Sequence, residues 1–425
     1  MSMTVRVRAW LGGLFFGWWI VAGSVVIGIF LAGFLLQGYG AFVTVWQAEF
    51  GWSKTALAAA FSLQRVQAAV LAPLQGWLLE RYGPRLVMQV GIVLWGIGFI
   101  LLSRVSTLAG FYVFILLLAL GASLAGFMTL SAVIVNWFRR YRSTALALTQ
   151  VGWSIGGFVV PLLAWSLTAW GWRSTSAICG LIILIAGLPI TLLMRRRPED
   201  HGLVPDGIPE DPQTEKGSAE NATSRVIPEP VFTPAQALRT RAFWLLSSGH
   251  ALAGAFVSGI FVHLVVHLTE GMNVSLQAAA TVIALMTGCM MLGQLAGGIL
   301  GDRYSKRLLA SVAMVAHAAA LSVLVFAGSL ALVVVFAVIH GVALGVRGPL
   351  MSAMRADYFG RASFARIMGF STIILMMGQM SGPLLAGVLA DAYGSYRPAF
   401  AVLAVVALLG VGCFAFANRP NAPHR

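Results

Sequence analysis

Apolar runs of 18 or more residues recur along the whole of this chain, and no other feature limits its fold so severely. A run of that length crosses the hydrocarbon core of a bilayer as a helix. In lipid a chain must satisfy its own backbone groups, so only helices and closed barrels can span. Barrel strands alternate polar and apolar residues, which these runs do not. Hydropathy divides the chain into twelve spans, at about residues 17 to 46, 54 to 79, 86 to 103, 109 to 135, 144 to 169, 175 to 194, 242 to 268, 276 to 300, 308 to 327, 330 to 354, 367 to 389 and 399 to 417. With 59% hydrophobic and 10% charged residues, a water-soluble enzyme is excluded. The expected fold class is an all-α membrane protein of twelve transmembrane helices.

The net charge of +14 raises nucleic acid as a partner, but the placement of the charges answers it. With the N-terminus in the cytoplasm, 22 of the 28 Lys and Arg residues fall in inner loops, tails or helix ends, from Arg6 and Arg8 through Lys216, Arg225 and Arg355 to Arg425. Outer loops hold four: Lys54, Arg104, Arg173 and Arg397. This is the positive-inside asymmetry, so the charge reports topology and no nucleic-acid partner is expected. Both termini are then cytoplasmic, in a multi-pass protein of the cell inner (plasma) membrane. Cys179, Cys289 and Cys413 lie in apolar spans and read as small packing residues, with no disulfide or metal set. The first apolar run continues for about 30 residues without a small-residue cleavage site, so it reads as a retained helix.

Residues 195 to 241 break the pattern with a stretch rich in Pro, Glu and Ser that cannot bury enough apolar surface to order itself. They read as a cytoplasmic linker between a half at 1 to 194 and a half at 242 to 425. An offset of 222 residues superposes Gly76, Glu80, Arg81, Tyr82 and Arg85 on Gly298, Asp302, Arg303, Tyr304 and Arg307, and Pro161 on Pro383. An offset of 221 puts Trp137-Phe138 on Tyr358-Phe359. Two parallel repeats with a site between them are the plan of alternating-access carriers.

The duplicated GxxxDRxxxR-type loop, the twelve spans and the repeat together resemble the major facilitator superfamily, over the entire chain. In that resemblance Gly76 and Gly298 let helices approach, while Glu80 and Asp302 can meet a helix N-terminus or an Arg and latch the inner side, with Arg81, Arg85, Arg303 and Arg307 flanking the gate. Some local sequence is similar to the bacterial monocarboxylate and oxalate/formate porter branch: Gly17-Trp-Trp, Phe50-Gly-Trp-Ser53, Pro73, Arg81-Tyr-Gly-Pro-Arg85 and Arg197-Pro-Glu-Asp-His-Gly. There are departures. Ala41 or a neighbour stands where animal monocarboxylate carriers have a Lys in helix 1, and Met290 and Gln294 occupy about the places of their helix 8 Asp and Arg. The branch implies a small carboxylate as cargo.

Two arginines lie inside spans. Arg65 is about 11 residues, roughly 16 Å, from the outer start of span 2, near the midplane, where an Arg costs about 2.5 to 3.5 kcal/mol on insertion scales. Of the 14 Asp and Glu residues none is deep in a span, which leaves a bound anion, backbone carbonyls or an amide such as Gln64, Gln67 or Gln379 to meet it. We take the anion as the working expectation, against an Arg that pins span 2 to carbonyls. In span 10, His340 and Arg347 are seven residues apart and share a face. Gly348-Pro349 is expected to loosen that helix. An imidazole near its ordinary pKa of about 6.5 can take a proton when an anion is bound nearby, so His340 is the candidate for coupling protons to anion movement, against a neutral hydrogen-bonding role. A carboxylate passed between Arg65 and Arg347, or a dianion bridging them, suits this pair. Gln37 and Tyr39 are candidates for the outer cavity wall, against glycine-mediated packing of Gly38 and Gly40. His263 and His267 have metal-ligand spacing but no third ligand, and His317 reads as lipid-facing or core.

Three functions compete. The first is secondary transport of a small organic anion by proton symport or anion exchange. Export of a cationic drug needs a buried carboxylate that the spans lack, although export of a neutral or anionic compound survives as the alternative. A membrane enzyme or sensor lacks any catalytic motif in the spans, and no phosphate-binding loop for ATP is present, so no cofactor is expected.

Overall fold

The computed structural model describes residues 15 to 207 and 231 to 421; Arg6, Arg8, Lys216, Arg225 and Arg425 lie outside the described residues. Twelve long helices follow in order: α1 (Gly17–Phe50), α2 (Lys54–Tyr82), α3 (Pro84–Leu102), α4 (Leu108–Trp137), α5 (Arg142–Ala169), α6 (Gly171–Thr191), α7 (Arg241–Gly271), α8 (Leu276–Arg303), α9 (Lys306–Val325), α10 (Leu330–Phe359), α11 (Phe364–Tyr393) and α12 (Arg397–Phe416). Among the described residues, eleven are apolar enough to cross a membrane on length and composition alone. The twelfth, α2, carries Gln64, Arg65, Gln67, Gln75 and Glu80. It places part of this polar face against α4: the Gln67 amide donates to Leu116 O (3.2 Å) and the Gln75 amide to Ser123 O (2.8 Å). The chain is an all-α membrane protein with two six-helix halves.

Local signals set the helix ends. The side chains of Ser53, Thr107, Thr240, Ser275 and Ser305 each accept a backbone N–H in the first turn of the helix that follows. Gly51 ends α1 at φ 65°, a left-handed conformation that glycine adopts without a Cβ penalty. Within the first half, α1, α4 and α5 are interrupted. α1 passes through a π-helical turn at Leu31–Leu36 and α5 through a 3-10 turn at Gly157–Val159. α4 breaks at Gly126 (φ −89°, ψ −149°). The second half differs: α10 runs unbroken from Leu330 to Phe359 through Gly348-Pro349. The loosening expected there is absent, since one proline removes a single backbone donor, and the break falls instead at Gly126, which is Gly348 less 222.

Buried apolar side chains form two clusters. One, around Trp46, Trp95, Phe111 and Trp137, takes in the first six helices and also Ala353, Ala356, Phe364 and Met368 from the linker ends of α10 and α11. The other, around Phe256, Phe336 and Phe400, holds the last six. Between the halves, α2 packs on α11 and α5 on α8, a pseudo-symmetric pairing of repeat-equivalent helices.

The flanks of the linker are ordered, contrary to the expectation that residues 195 to 241 lack structure. The Asp206 carboxylate accepts the backbone N–H groups of Arg139, Arg140 and Tyr141, and Glu199 pairs with Arg361. A capping box at Thr233 opens a short helix, Pro234–Leu238, and Phe232 is buried against Phe359. Composition alone missed this because the order comes from charges and an aromatic anchored on the helix bundle.

Helix α7 meets α11 where Gly378 and Gly382 lie on the carbonyls of Ala251 and Ala255, too close for any side chain. Gly382→Val is expected to lower the melting temperature of the detergent-solubilised protein, with an overpacking cost of about 1 to 3 kcal/mol. Gly412→Val, where a Cβ meets open space, should leave it unchanged in the same thermal scan.

Candidate functional site

A cavity of about 200 Å³ lies between the halves, walled by α1, α2, α4 and α5 on one side and α11 on the other. Most of its lining is apolar: Leu31, Leu35 and Leu36 from α1, Ala68 and Ala72 from α2, Met128 from α4, and Met368, Leu375 and Met376 from α11. Its polar lining is Gln64, Arg65 and Gln75 on α2, Ser123 on α4, Trp153 on α5 and Thr372 on α11. Helical spacing puts residues 64, 65, 68, 72 and 75 on one face of α2, so the guanidinium reaches this wall by register. Arg65 is half-buried, while Gln64 retains 7% of its surface and its Nε2 has no partner.

Of the six sequence candidates for substrate contact, Arg65 lines this cavity and the other five are elsewhere. Gln37 donates to Trp153 O (3.2 Å) from an exposed position, and the Tyr39 hydroxyl donates to Leu57 O (2.8 Å). Gln379 is half-buried and its backbone oxygen accepts from Ser258. His340 sits in the core of the second half, fully buried, its Nδ1 3.2 Å from His317 Nδ1, with Phe256 and Phe336 against the ring. It is therefore one of a pair, and His317 is a core residue. His263 faces the Tyr396 hydroxyl and Pro383 O.

Arg347 is buried at 4% exposure on the same helix, and no acceptor among the described residues meets its Nε or Nη1. Sequence reasoning missed Arg355, counted with the loop cations and in fact buried at 2%. Its guanidinium donates to Ser371 Oγ through Nε (3.0 Å) and Nη2 (2.6 Å) and to Met351 O through Nη1 (2.8 Å), and Nη2 lies 3.2 Å from His250 Nδ1. Eight residues beyond Arg347, it shares that residue's face of α10. This spacing was the signal available in the sequence.

The linker ends of the halves are joined by polar bonds. Asp302 at the end of α8 accepts the backbone N–H of Ser143 (2.7 Å) and Thr144 (3.0 Å) in the first turn of α5. Glu80 at the end of α2 pairs with Arg366 in the first turn of α11. Thr144 and Arg366 are repeat equivalents, so one copy uses the main chain where the other uses a side chain. Gly76 lies on Ala365 and Arg366 of α11, and Gly298 on Thr144 and Ala147 of α5. Asp357 bridges Arg142 (2.6 Å) of the first half and Lys306 (2.8 Å) of the second. Arg361 donates to Asn136 O (3.0 Å). Arg81, Arg85 and Arg303 are exposed, and Arg307 bonds Asn418. Nearer the middle, Ser154 donates to Gln294 (3.1 Å).

Two six-helix repeats with a cavity between them form the architecture expected of a membrane carrier. A sequence profile of the Major Facilitator Superfamily matches residues 25–296 and 246–425, and the chain belongs to this family. Relatives include rat Monocarboxylate transporter 13, 25% identical over 93% of this chain and 88% of its own length. Another is the cis,cis-muconate transport protein of Acinetobacter baylyi, 24% identical over 83% of this chain and 85% of its own length. Among solved structures, a human organic anion transporter superposes with a TM-score of 0.69 at 17% identity, covering 94% of this chain and 98% of that one. The transporter FucP in its outward conformation gives 0.72 at 15%, covering 95% and 99%. The protein is thus a multi-pass membrane transporter of this superfamily.

The two buried arginines of α10 differ in their partners, so their removal should differ in sign. Arg355→Met strands Ser371 and His250 and is expected to reduce stability by about 3 kcal/mol or more. Arg347→Met removes a buried charge whose Nε and Nη1 are unpartnered, and should hold or raise the melting temperature of the ligand-free protein. Thermal unfolding of the two variants side by side checks both.

Proposed function

We propose that this transporter carries a small, monocarboxylate-like organic anion, with the carboxylate held by Arg65. The observation that carries this reading is a guanidinium on the wall of a largely apolar cavity between the halves. A guanidinium in low-dielectric surroundings favours a planar, bidentate anion, and the apolar walls suit a hydrocarbon body. The names of two relatives, a monocarboxylate transporter and a muconate transport protein, denote carboxylates and support the same class.

Movement follows alternating access. Residues 1 to 194 and 242 to 425 rock as two bodies joined by the linker at 195 to 241, with both termini and the linker on the cytoplasmic side of the inner membrane. Gly76, Glu80, Arg81 and Arg85 with Gly298, Asp302, Arg303 and Arg307 form the inner gate. With the linker side cytoplasmic, the bonds of Glu80, Asp302 and Asp357 hold the inner side closed. Each carboxylate at a helix N-terminus contributes about 0.3 to 1 kcal/mol, up to about 2 when partly buried, so the gate is stable yet reversible. No phosphate-binding loop is present, so a gradient drives transport, by proton symport or by anion exchange.

Proton coupling is assigned to the imidazole pair His317 and His340. Their Nδ1 atoms face each other at 3.2 Å in the core of the second half. Protonation adds positive charge to the second half and favours anion entry, so uptake rises as external pH falls.

Two measurements test the proposal. Arg65→Gln is expected to reduce carboxylate uptake into proteoliposomes by tenfold or more while the variant still elutes as folded protein; wild-type uptake would remove the role. His340→Gln should flatten the rise of uptake with falling external pH. An unchanged profile in that variant assigns the coupling to anion exchange.

A further inference from the structure

A second pocket, of about 390 Å³, opens on the linker side of the second half, away from the cavity between the halves. Its wall carries Lys306 and Arg307 from the first turn of α9, Asp357 and Tyr358 from the end of α10, Tyr304 from the turn before α9, and Arg419 from the chain beyond α12. Three cations thus share a wall with one carboxylate. That carboxylate is already divided between Arg142 of the first half (2.6 Å) and Lys306 (2.8 Å). Arg307 bonds Asn418 through Nη1, and Arg419 is exposed, with no hydrogen-bond or ion-pair partner among the described residues.

The repeat distinguishes this pocket from a general excess of charge on one side of the membrane. An offset of 222 puts Lys306 and Arg419 on Pro84 and Arg197, and one of 221 puts Asp357 on Asn136. All three equivalents line a pocket in the first half, so the two are copies of one place in the fold. The first-half copy is reduced to about 40 Å³ because the chain fills it with its own groups. Arg361, Ala362 and Phe364 enter its wall from the other half, Arg196 donates to Glu80 O (2.7 Å), and Arg361 donates to Asn136 O (3.0 Å) and pairs with Glu199. In the second half, Arg419-Pro420-Asn421 stands where the first has Arg197-Pro198-Glu199. The cation is kept and the carboxylate is lost, while the volume stays open.

We infer that this pocket binds a phosphate group, presented by an anionic phospholipid of the linker-side leaflet. A tetrahedral phosphate offers oxygens in several directions, which suits cations that arrive from α9 and from the tail beyond α12. The height is that of a headgroup: α9 begins here and α10 and α12 end here, at the polar boundary of the bilayer. Tyr304 on the pocket wall is exposed, as are Leu308, next to Arg307, and Phe416, three residues before Arg419, so acyl chains have an apolar flank to follow. A basic pocket at helix ends attracts acidic headgroups for the same reason. Inorganic phosphate carries the same oxygens without the acyl chains.

Native mass spectrometry of the full-length protein in detergent, with phosphatidylglycerol and phosphatidylcholine as probes, tests the inference, and isothermal titration with inorganic phosphate separates the two sources. Phosphatidylglycerol is expected to bind about tenfold more tightly than phosphatidylcholine. Arg419→Gln lies beyond the last helix and spares the fold, and Asn421→Glu restores the carboxylate of the first-half copy; each should weaken phosphatidylglycerol binding about fivefold or more. Arg239→Gln combined with Arg241→Gln removes two exposed cations of the same side outside the pocket and should leave that binding unchanged. Binding of inorganic phosphate but of neither lipid, with the same loss in Arg419→Gln, keeps the phosphate site and overturns the lipid as its source. Equal affinity for the two lipids, affinity unchanged in Arg419→Gln, or an equal loss in the Arg239 and Arg241 variant overturns the inference, since the attraction then belongs to the whole face and not to the pocket.

Discussion

A charge cannot stay in hydrocarbon without a polar neighbour, and the arrangement of this protein follows from how that demand is met. The acidic side chains of the helical bundle lie at helix ends: Glu80, Asp302 and Asp357 tie the halves together at the linker side, and Glu49 holds Trp172 and Arg173 within the first half. Arginines and amides occupy the interior. This partition separates two kinds of electrostatic work. Pairs at the ends are internal to the protein and can be broken and remade as the halves move. In the middle, Arg65 and Gln64 face a cavity between the halves.

The repeat supplies a symmetric frame, and function comes from where the copies diverge. At the gate the divergence is small: Glu80 and Asp302 reach equivalent first turns, one through an Arg side chain and the other through main-chain donors. In the interior it is large. Arg65 corresponds to Thr287, Arg347 to Ala125, and the broken Gly126 to Gly348 in a helix that remains whole. A frame that must look the same from both sides of the membrane tolerates symmetric gates, whereas a cargo with its own shape selects for unequal walls.

The sequence carried the spans, the repeat and the carboxylates at helix ends plainly, because each rests on a pattern that survives packing: run length, repeat offset and charge at helix ends. The Arg65 cavity was half legible. Its depth follows from counting residues, and its facing residues follow from helical spacing once one of them is known. The placement of His340 and Arg355 was not legible, since two residues on one face of α10 can turn toward the cavity or into the half, and only the packing of α7, α9 and α11 decides. The break at Gly126 gave no local sign either. Pro349 drew attention to the equivalent site in α10, yet a proline within a long membrane helix loses one bond and bends, while a glycine free of Cβ strain lets the chain leave the helix altogether.

The energetics of transport then depend on matching two modest quantities. In the proposed mechanism, opening the linker side breaks the contacts of Asp302, Glu80 and Asp357, each worth on the order of 1 kcal/mol in a partly solvated setting, and separates the glycine-lined contacts of α2 with α11 and of α5 with α8. If the gate were much stronger, the closed state would hold its cargo indefinitely; if much weaker, the cavity would leak. A cargo that neutralises the donors on the cavity wall removes part of the electrostatic cost of bringing both halves into the low-dielectric midplane, so it lowers the barrier to exchange between states and not only the energy of one of them. Coupling is therefore expected to reside in the interior charges, which sense occupancy, and the gate residues to set the rate at which an already determined equilibrium is reached.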